Sequence, residues 1–205
     1  MYFQCTLVLQ VIMKTPLTLF VLFFSSSVFA DDISDFQIER MSIGDSLLDY
    51  FSASEIKKKT ITSYYKNKKD KSFIAIEFYN PKKFLEYDAV QVHIPNFNKY
   101  TQMKYRDYEI VHIVGQKIME YNECKKKADE IDNILSNTFK GFDKRYEEKP
   151  SLDLDPTGDS IVYAIWFTFQ SGDKGFINCY DWSEEKGYVD HLRVGLMTKD
   201  FNDWL

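Results

Sequence analysis

The residues with the most chemical potential gather near the C-terminal end: Asp181, Glu184, Glu185, Asp190, His191 and Arg193. A histidine beside a carboxylate is the pairing that general acid–base catalysis uses. Asp190 and His191 are adjacent, however, and adjacent residues of a strand point to opposite faces. Asp181 and Arg193 are expected on neighbouring strands, where they would form a cross-strand ion pair. A hydrolytic reading therefore narrows to an acidic pair, Asp181 and Glu184. The other two histidines, His93 and His112, each sit in an alternating apolar run. That context reads as a half-buried strand position, and no His-x-x-x-His or His-Glu spacing points to a zinc site. Asp153-Leu-Asp155-Pro-Thr-Gly158-Asp159 opens like a calcium loop, but Ala164 stands at the twelfth position, where such a loop needs glutamate. It reads as an acidic turn leading into a strand. Gly-x-Ser-x-Gly, Gly-rich phosphate loops and Gly-x-Gly-x-x-Gly are all missing from the sequence. No catalytic residue, metal ligand or cofactor is assigned.

Cysteine is the other reactive type. Of three cysteines, Cys5 falls in the apolar N-terminal stretch, leaving Cys124 and Cys179. Two cysteines in an exported domain most simply form a disulfide. Cys124 opens a helical pattern over 124–141, with Ala128, Ile131, Leu135, Thr138 and Phe139 following at spacings of three or four. Cys179 lies in a strand-like run in which Ile177 and Cys179 share one face, while Phe176, Tyr180 and Trp182 share the other. A bridge would pin helix to sheet. Two buried free thiols, or a redox or metal site, are the rival readings; no Cys-x-x-Cys supports the last.

Export is read from the first thirty residues, whose only charge is Lys14. Met13-Lys14, the apolar run of 17–24 and the exit Val28-Phe29-Ala30 before Asp31-Asp32 have the order of a cleaved signal peptide. Residues 1–12 read as an over-extended start ahead of Met13. An uncleaved anchor over 8–29 is the rival, interrupted by Lys14. After cleavage no stable membrane span is expected, and residues 31–205 form a single exported domain. The whole sequence holds 205 residues with 26 Lys+Arg, 31 Asp+Glu and a net charge of −5. An acidic balance argues against a nucleic-acid partner. An aromatic share of 17% excludes a disordered chain.

Several elements must position these residues. Ser42-Ile-Gly-Asp45 and Ser52-Ala-Ser-Glu55 read as capping boxes for two short helices, the second ending in Lys57-Lys58-Lys59. Seven lysines between 57 and 71 read as a solvated helix end and loop, with a patch for anionic lipid or polysaccharide as the alternative. Strands are expected over 73–79, 89–94 and 108–119, with Gly115 marking a bulge or bend. The Cys124 helix follows, then a charged loop over 142–159. Strands over 160–170, 175–183 and 188–197 complete a hairpin meander. This is an α+β domain: N-terminal short helices, antiparallel sheet of about six strands, and one longer helix packed on the sheet, hinting at two helix-plus-three-strand halves.

Four segments carry a resemblance. Met41-Ser-Ile-Gly-Asp-Ser-Leu-Leu-Asp-Tyr-Phe-Ser52, Glu123-Cys-Lys-Lys-Lys127, Cys179-Tyr-Asp-Trp-Ser183 and Asp190-His-Leu-Arg-Val194 resemble segments of an uncharacterised family of small exported alphaproteobacterial proteins. The resemblance covers most of the chain beyond residue 30 and implies that Cys124 and Cys179 are paired; it implies no activity. A looser architectural analogy is to periplasmic domains of the BamE or beta-lactamase-inhibitor type. The resulting expectation is a non-enzymatic periplasmic or secreted domain that binds another protein or an envelope component. Trp166, Phe176, Tyr180 and Trp182 are the candidate contacts, with core packing as their alternative role. An exported hydrolase using the acidic pair, and a binder of a small ligand or cation, are the competing expectations.

Overall fold

The computed structural model describes residues 32–79, 84–96, 106–138, 141–150 and 155–205. The signal-like segment, Asp153 and Phe139 lie outside them.

Ser52 opens the first α-helix, α1 (Ala53–Lys59), with a complete capping box: its hydroxyl accepts from Glu55 N, and the Glu55 carboxylate accepts from Ser52 N. The earlier serine motif makes half of that pattern. Asp45 Oδ2 accepts from Ser42 N at 2.9 Å, but the chain then turns, and only a three-residue 3-10 helix, Leu47–Asp49, forms. The positive φ of Gly44, +87°, turns the chain there. The second long-expected element is α2 (Tyr121–Thr138). It starts one turn earlier than the apolar pattern alone predicts and buries Cys124, Ala128, Ile131 and Leu135. A C-terminal helix, α3 (Lys199–Trp204), is capped by Thr198 and buries Phe201.

The strands are β1 (Thr60–Ile61), β2 (Phe73–Tyr79), β3 (Ala89–Pro95), β4 (His112–Ile118), β5 (Phe142–Pro150), β6 (Ile161–Phe169), β7 (Lys174–Asp181) and β8 (His191–Met197). They form one antiparallel sheet in the order β1-β2-β3-β4-β8-β7-β6-β5. The fold is α+β, with two strands more than the six expected. One addition, β5, falls in the segment expected to be a charged loop. The first half is α1 with four strands and the second is α2 with four strands followed by α3, and the halves join where β4 pairs with β8. Gly115 makes no bulge: its register from β3 through β4 to β8 is unbroken. It is there because the ring of Tyr87 lies within 2.6 Å of where a Cβ would stand.

One face of the sheet is apolar from edge to centre: Ile76, Val92, Ile113, Leu196 and Ile177 are among its fully or nearly fully buried residues. Helix α2 and the segment from Ile33 to Phe51 pack against it. The Cys124 and Cys179 sulfurs lie at bonding distance across this interface, with a sequence separation of 55. Among the described residues, no helix is long and apolar enough to cross a membrane.

Candidate functional site

The opposite face is built from the alternate residues of the same strands, and it is polar. Register places Gln116, Arg193 and Asn178 side by side across β4, β8 and β7, with Gln91 on β3. Helix α3 and the tyrosines after β1 cover one end of this face. There Phe73, Val111, Val114, Phe176, Met197 and Phe201 form a second core, with Tyr65, Trp166 and Trp204 against it. The other end is open, and forms a cleft of about 570 Å³, within the size range of ligand sites.

The cleft has a polar floor and an apolar rim. On the floor, Arg193 Nη2 donates to Gln91 Oε1 at 3.2 Å, and Tyr64 OH donates to the same oxygen at 3.1 Å. Gln116 Nε2 donates to Glu77 at 3.4 Å. On one wall, the rings of Tyr180 and Trp182 stack at 5.3 Å with an interplanar angle of 7°. His191 also stacks on Tyr180 at 5.0 Å, with its ring 6.3 Å from that of Trp182, and Tyr188 meets Trp182 edge-on. Burial, reinforced by the Arg193 charge, pushes the His191 pKa down. Its Nδ1 donates to the Val189 carbonyl at 2.9 Å. Ten large apolar side chains are exposed among the described residues; five of them, Tyr64, Tyr79, Ile118, Tyr188 and Val189, line this cleft.

The structure separates the four aromatic contact candidates into two pairs. Tyr180 and Trp182 line the cleft. Phe176 is buried in the second core over Gly195, whose missing side chain leaves room for the ring. Trp166 packs beside it at 5.3 Å and donates its indole N–H to Glu147. The acidic pair is not at the cleft: neither Asp181 nor Glu184 lines it. The expected Asp181–Arg193 ion pair is not made. Register sets Asn178 opposite Arg193, and Asp181 alternates with Tyr180 onto the face of Cys179.

Under α3, at the covered end of the same face, sits a pair that strand patterns alone do not reveal. His93 and His112 are register partners on β3 and β4, with Nδ1 atoms 3.0 Å apart. A neutral imidazole offers one donor and one acceptor nitrogen, so one ring donates across this contact and the other accepts. Two imidazolium rings would place donor against donor. Tyr65 OH also lies 2.8 Å from His93 Nδ1, Phe201 stacks on His112, and both Nε2 atoms are buried without a partner among the described residues. Burial, with the nearby Arg193 charge, lowers the His93 pKa to about 3. His112 is driven well down by burial, then by His93 and Arg193.

Two other polar clusters are structural knots. Asp155, fully buried, accepts from the hydroxyls of Thr157, Ser160 and Ser183 and from the amides of Thr157 and Ser160. Those bonds hold its carboxyl well below the usual range, and Lys186 Nζ stands 3.6 Å away. The acidic turn thus spends its carboxylate on the β6 and β7 ends. No group of three or more metal-binding side chains occurs among the described residues. On α2 and β5, Lys144 Nζ donates to Ser136 Oγ at 2.9 Å and to Asp132 at 2.9 and 3.0 Å. A serine–lysine dyad needs a neutral lysine to take the proton. Here the bonds to Asp132 and Tyr146 outweigh desolvation and raise the Lys144 pKa, so the ammonium is retained and the cluster is an ion pair.

The fold and cleft together define an α+β domain with a candidate site on one sheet face. Comparison with protein-family models, with curated proteins and with solved structures finds no match.

Proposed function

We propose that this chain is an exported, non-enzymatic binding domain that docks a polypeptide partner in the cleft on the polar face of its sheet. The observation that carries the reading is the convergence of half of the exposed large apolar side chains on one cleft. Exposed apolar surface concentrated in one place marks an interaction site. Tyr, Trp and Arg, which line it, are the residue types on which partner affinity concentrates. Ile118 and Val189, 52% and 59% exposed, favour a polypeptide, because aliphatic rims offer little to a polar small molecule. Export is supported by the charge-free apolar run ahead of Val28-Phe29-Ala30 and by the bonded cysteine pair, a feature of oxidising compartments.

A photo-crosslinking amino acid at position 188, with position 85 as control, tests this reading in the native envelope. Leu85 is 68% exposed and lies outside the cleft. The expected result is one adduct at 188, identified as a polypeptide by its fragment masses, that disappears with Tyr79→Ala. Equal labelling at 85 and 188, or an adduct that contains no peptide, overturns it.

A further inference from the structure

We propose that the polypeptide docked in this cleft presents a single carboxylate side chain, and that Arg193 is its counter-ion. This rests on the cleft being the binding site. Arg193 is half-buried on central strand β8, and among the described residues no carboxylate lies within ion-pair distance of it. Its neighbours in register, Gln116 and Asn178, are neutral amides. Its Nε is buried with no partner among the described residues, as is Asn178 Oδ1 beside it. Half-buried lysines here divide: Lys68, Lys71 and Lys117 donate to backbone carbonyls, while two others meet carboxylates. Lys144 and Lys186, with 25% and 28% of their side chains exposed, each face a carboxylate.

A cation taken partly out of water without a counter-ion is costly, and the cost is recovered when a carboxylate arrives. Burial, and after it the Arg193 charge, depresses all three histidines. The aromatic side chains of Tyr180, Trp182 and Tyr188, which line the same cleft, would shield an incoming carboxylate from water and strengthen the pair that forms. Only one charge is accommodated. Glu77 and Asp88 also line the cleft, and Glu77 lies on β2, three strands from β8. A polyphosphate or polyanionic glycan would meet those carboxylates, whereas a lone Asp or Glu flanked by neutral or basic residues would not.

The test uses the oxidised full chain, immobilised, and two pools of blocked pentapeptides randomised except at the centre, one pool with Glu there and the other with Gln. The Glu pool is expected to be retained about tenfold more strongly, the weight of one good charge-assisted pair. Arg193→Met should abolish the preference. Gln116→Glu should abolish it too, by supplying Arg193 with an internal carboxylate, and this second variant leaves the guanidinium in place if the first fails to fold. Tyr188→Ala should lower the retention of both pools. Equal retention of the pools, still dependent on Tyr188, overturns the counter-ion assignment while the cleft stands. Retention of neither pool in a Tyr188-dependent way overturns both.

Discussion

The two faces of the sheet come from alternate residues of the same strands, yet they are built to different ends. The face under α2 is apolar from β2 through β8 to the middle of β7, with Val92, Ile113, Ile177 and Leu192 buried. Each such side chain contributes about 1.5–3 kcal/mol of transfer free energy. The other face buries Gln91, His93, His112 and Asn178, and leaves four side-chain atoms without partners among the described residues. An unsatisfied buried polar group costs about 1–3 kcal/mol. An all-aliphatic second face would be the more stable arrangement. Where a sheet keeps polar groups buried at such a cost, the polar groups mark the face that meets something else. The bridge follows the same division: it fastens α2 to the apolar face, while Phe201, Trp204 and Tyr65 close one end of the polar face by packing and hydrogen bonds, without a covalent tie.

Acid should break the polar face first. The folded state holds His93 with a pKa of about 3 and His112 well below its ordinary value, whereas unfolded histidine titrates near 6.5. Between those values the unfolded chain binds protons that the folded chain refuses. Stability is therefore fully present above about pH 6.5 and falls as the pH drops toward 3. Each buried ring withdraws about 1.4 kcal/mol per pH unit, or about 2 kcal/mol between pH 7 and pH 5. For the pair this is about 4 kcal/mol, read from urea unfolding at the two pH values. His112→Phe should halve that loss. A stability unchanged between pH 7 and pH 5 would mean that the rings are not sealed behind α3.

Reduction should weaken the apolar face by a comparable or smaller amount. A bridge closing a loop of this length restricts the unfolded chain by about 4 kcal/mol on entropy grounds, and native bridges commonly contribute about 2–4. Thermal melts with and without reductant measure it, and Cys124→Ser with Cys179→Ser should match the reduced protein at neutral pH. The double variant should keep the acid sensitivity of the parent, because the histidines lie on the other face. If the bridge-free protein lost its response to pH, the two faces would not be independent.

What the sequence alone reveals divides along the same line. The apolar face was legible because it is written locally: alternation in 73–79 and 89–94 and the three-to-four spacing from Cys124 state which residues face inward. Strand β5 was not legible. Its inward residues after Phe142 are Lys144, Tyr146 and Glu148, and they meet Asp132, Lys125 and Tyr121 of α2 through polar contacts. A strand that packs by ion pairs has no apolar period to detect. The site was half legible. Tyr180 and Trp182 follow from alternation, but Gln91 and Arg193 become neighbours only through the pairing of β4 with β8, about 80 residues downstream by sequence. The Asp181–Arg193 expectation failed for that reason: adjacent strands were foreseen, but the register that decides which faces coincide was not. The His93–His112 contact depends on register in the same way.

The smallest expected change in stability is the most telling about the cleft. Tyr188 is 63% exposed and touches the rest of the wall through an edge-on contact with Trp182. Tyr188→Ala should therefore shift the urea-derived stability by less than about 0.5 kcal/mol, the usual range for an exposed position. Ile177→Ala, fully buried beneath α2, should cost about 2–5 kcal/mol by leaving a cavity. The two belong to neighbouring parts of the same meander, so the contrast isolates the face from the location. If Tyr188→Ala cost as much as Ile177→Ala, the aromatic rim would be core that holds the β7–β8 turn in place. The cleft would then lose its premise, because a side chain that stabilises the free protein needs no partner to explain its exposure. If the cost is negligible while retention of both peptide pools falls, Tyr188 is kept on the surface for what binds there.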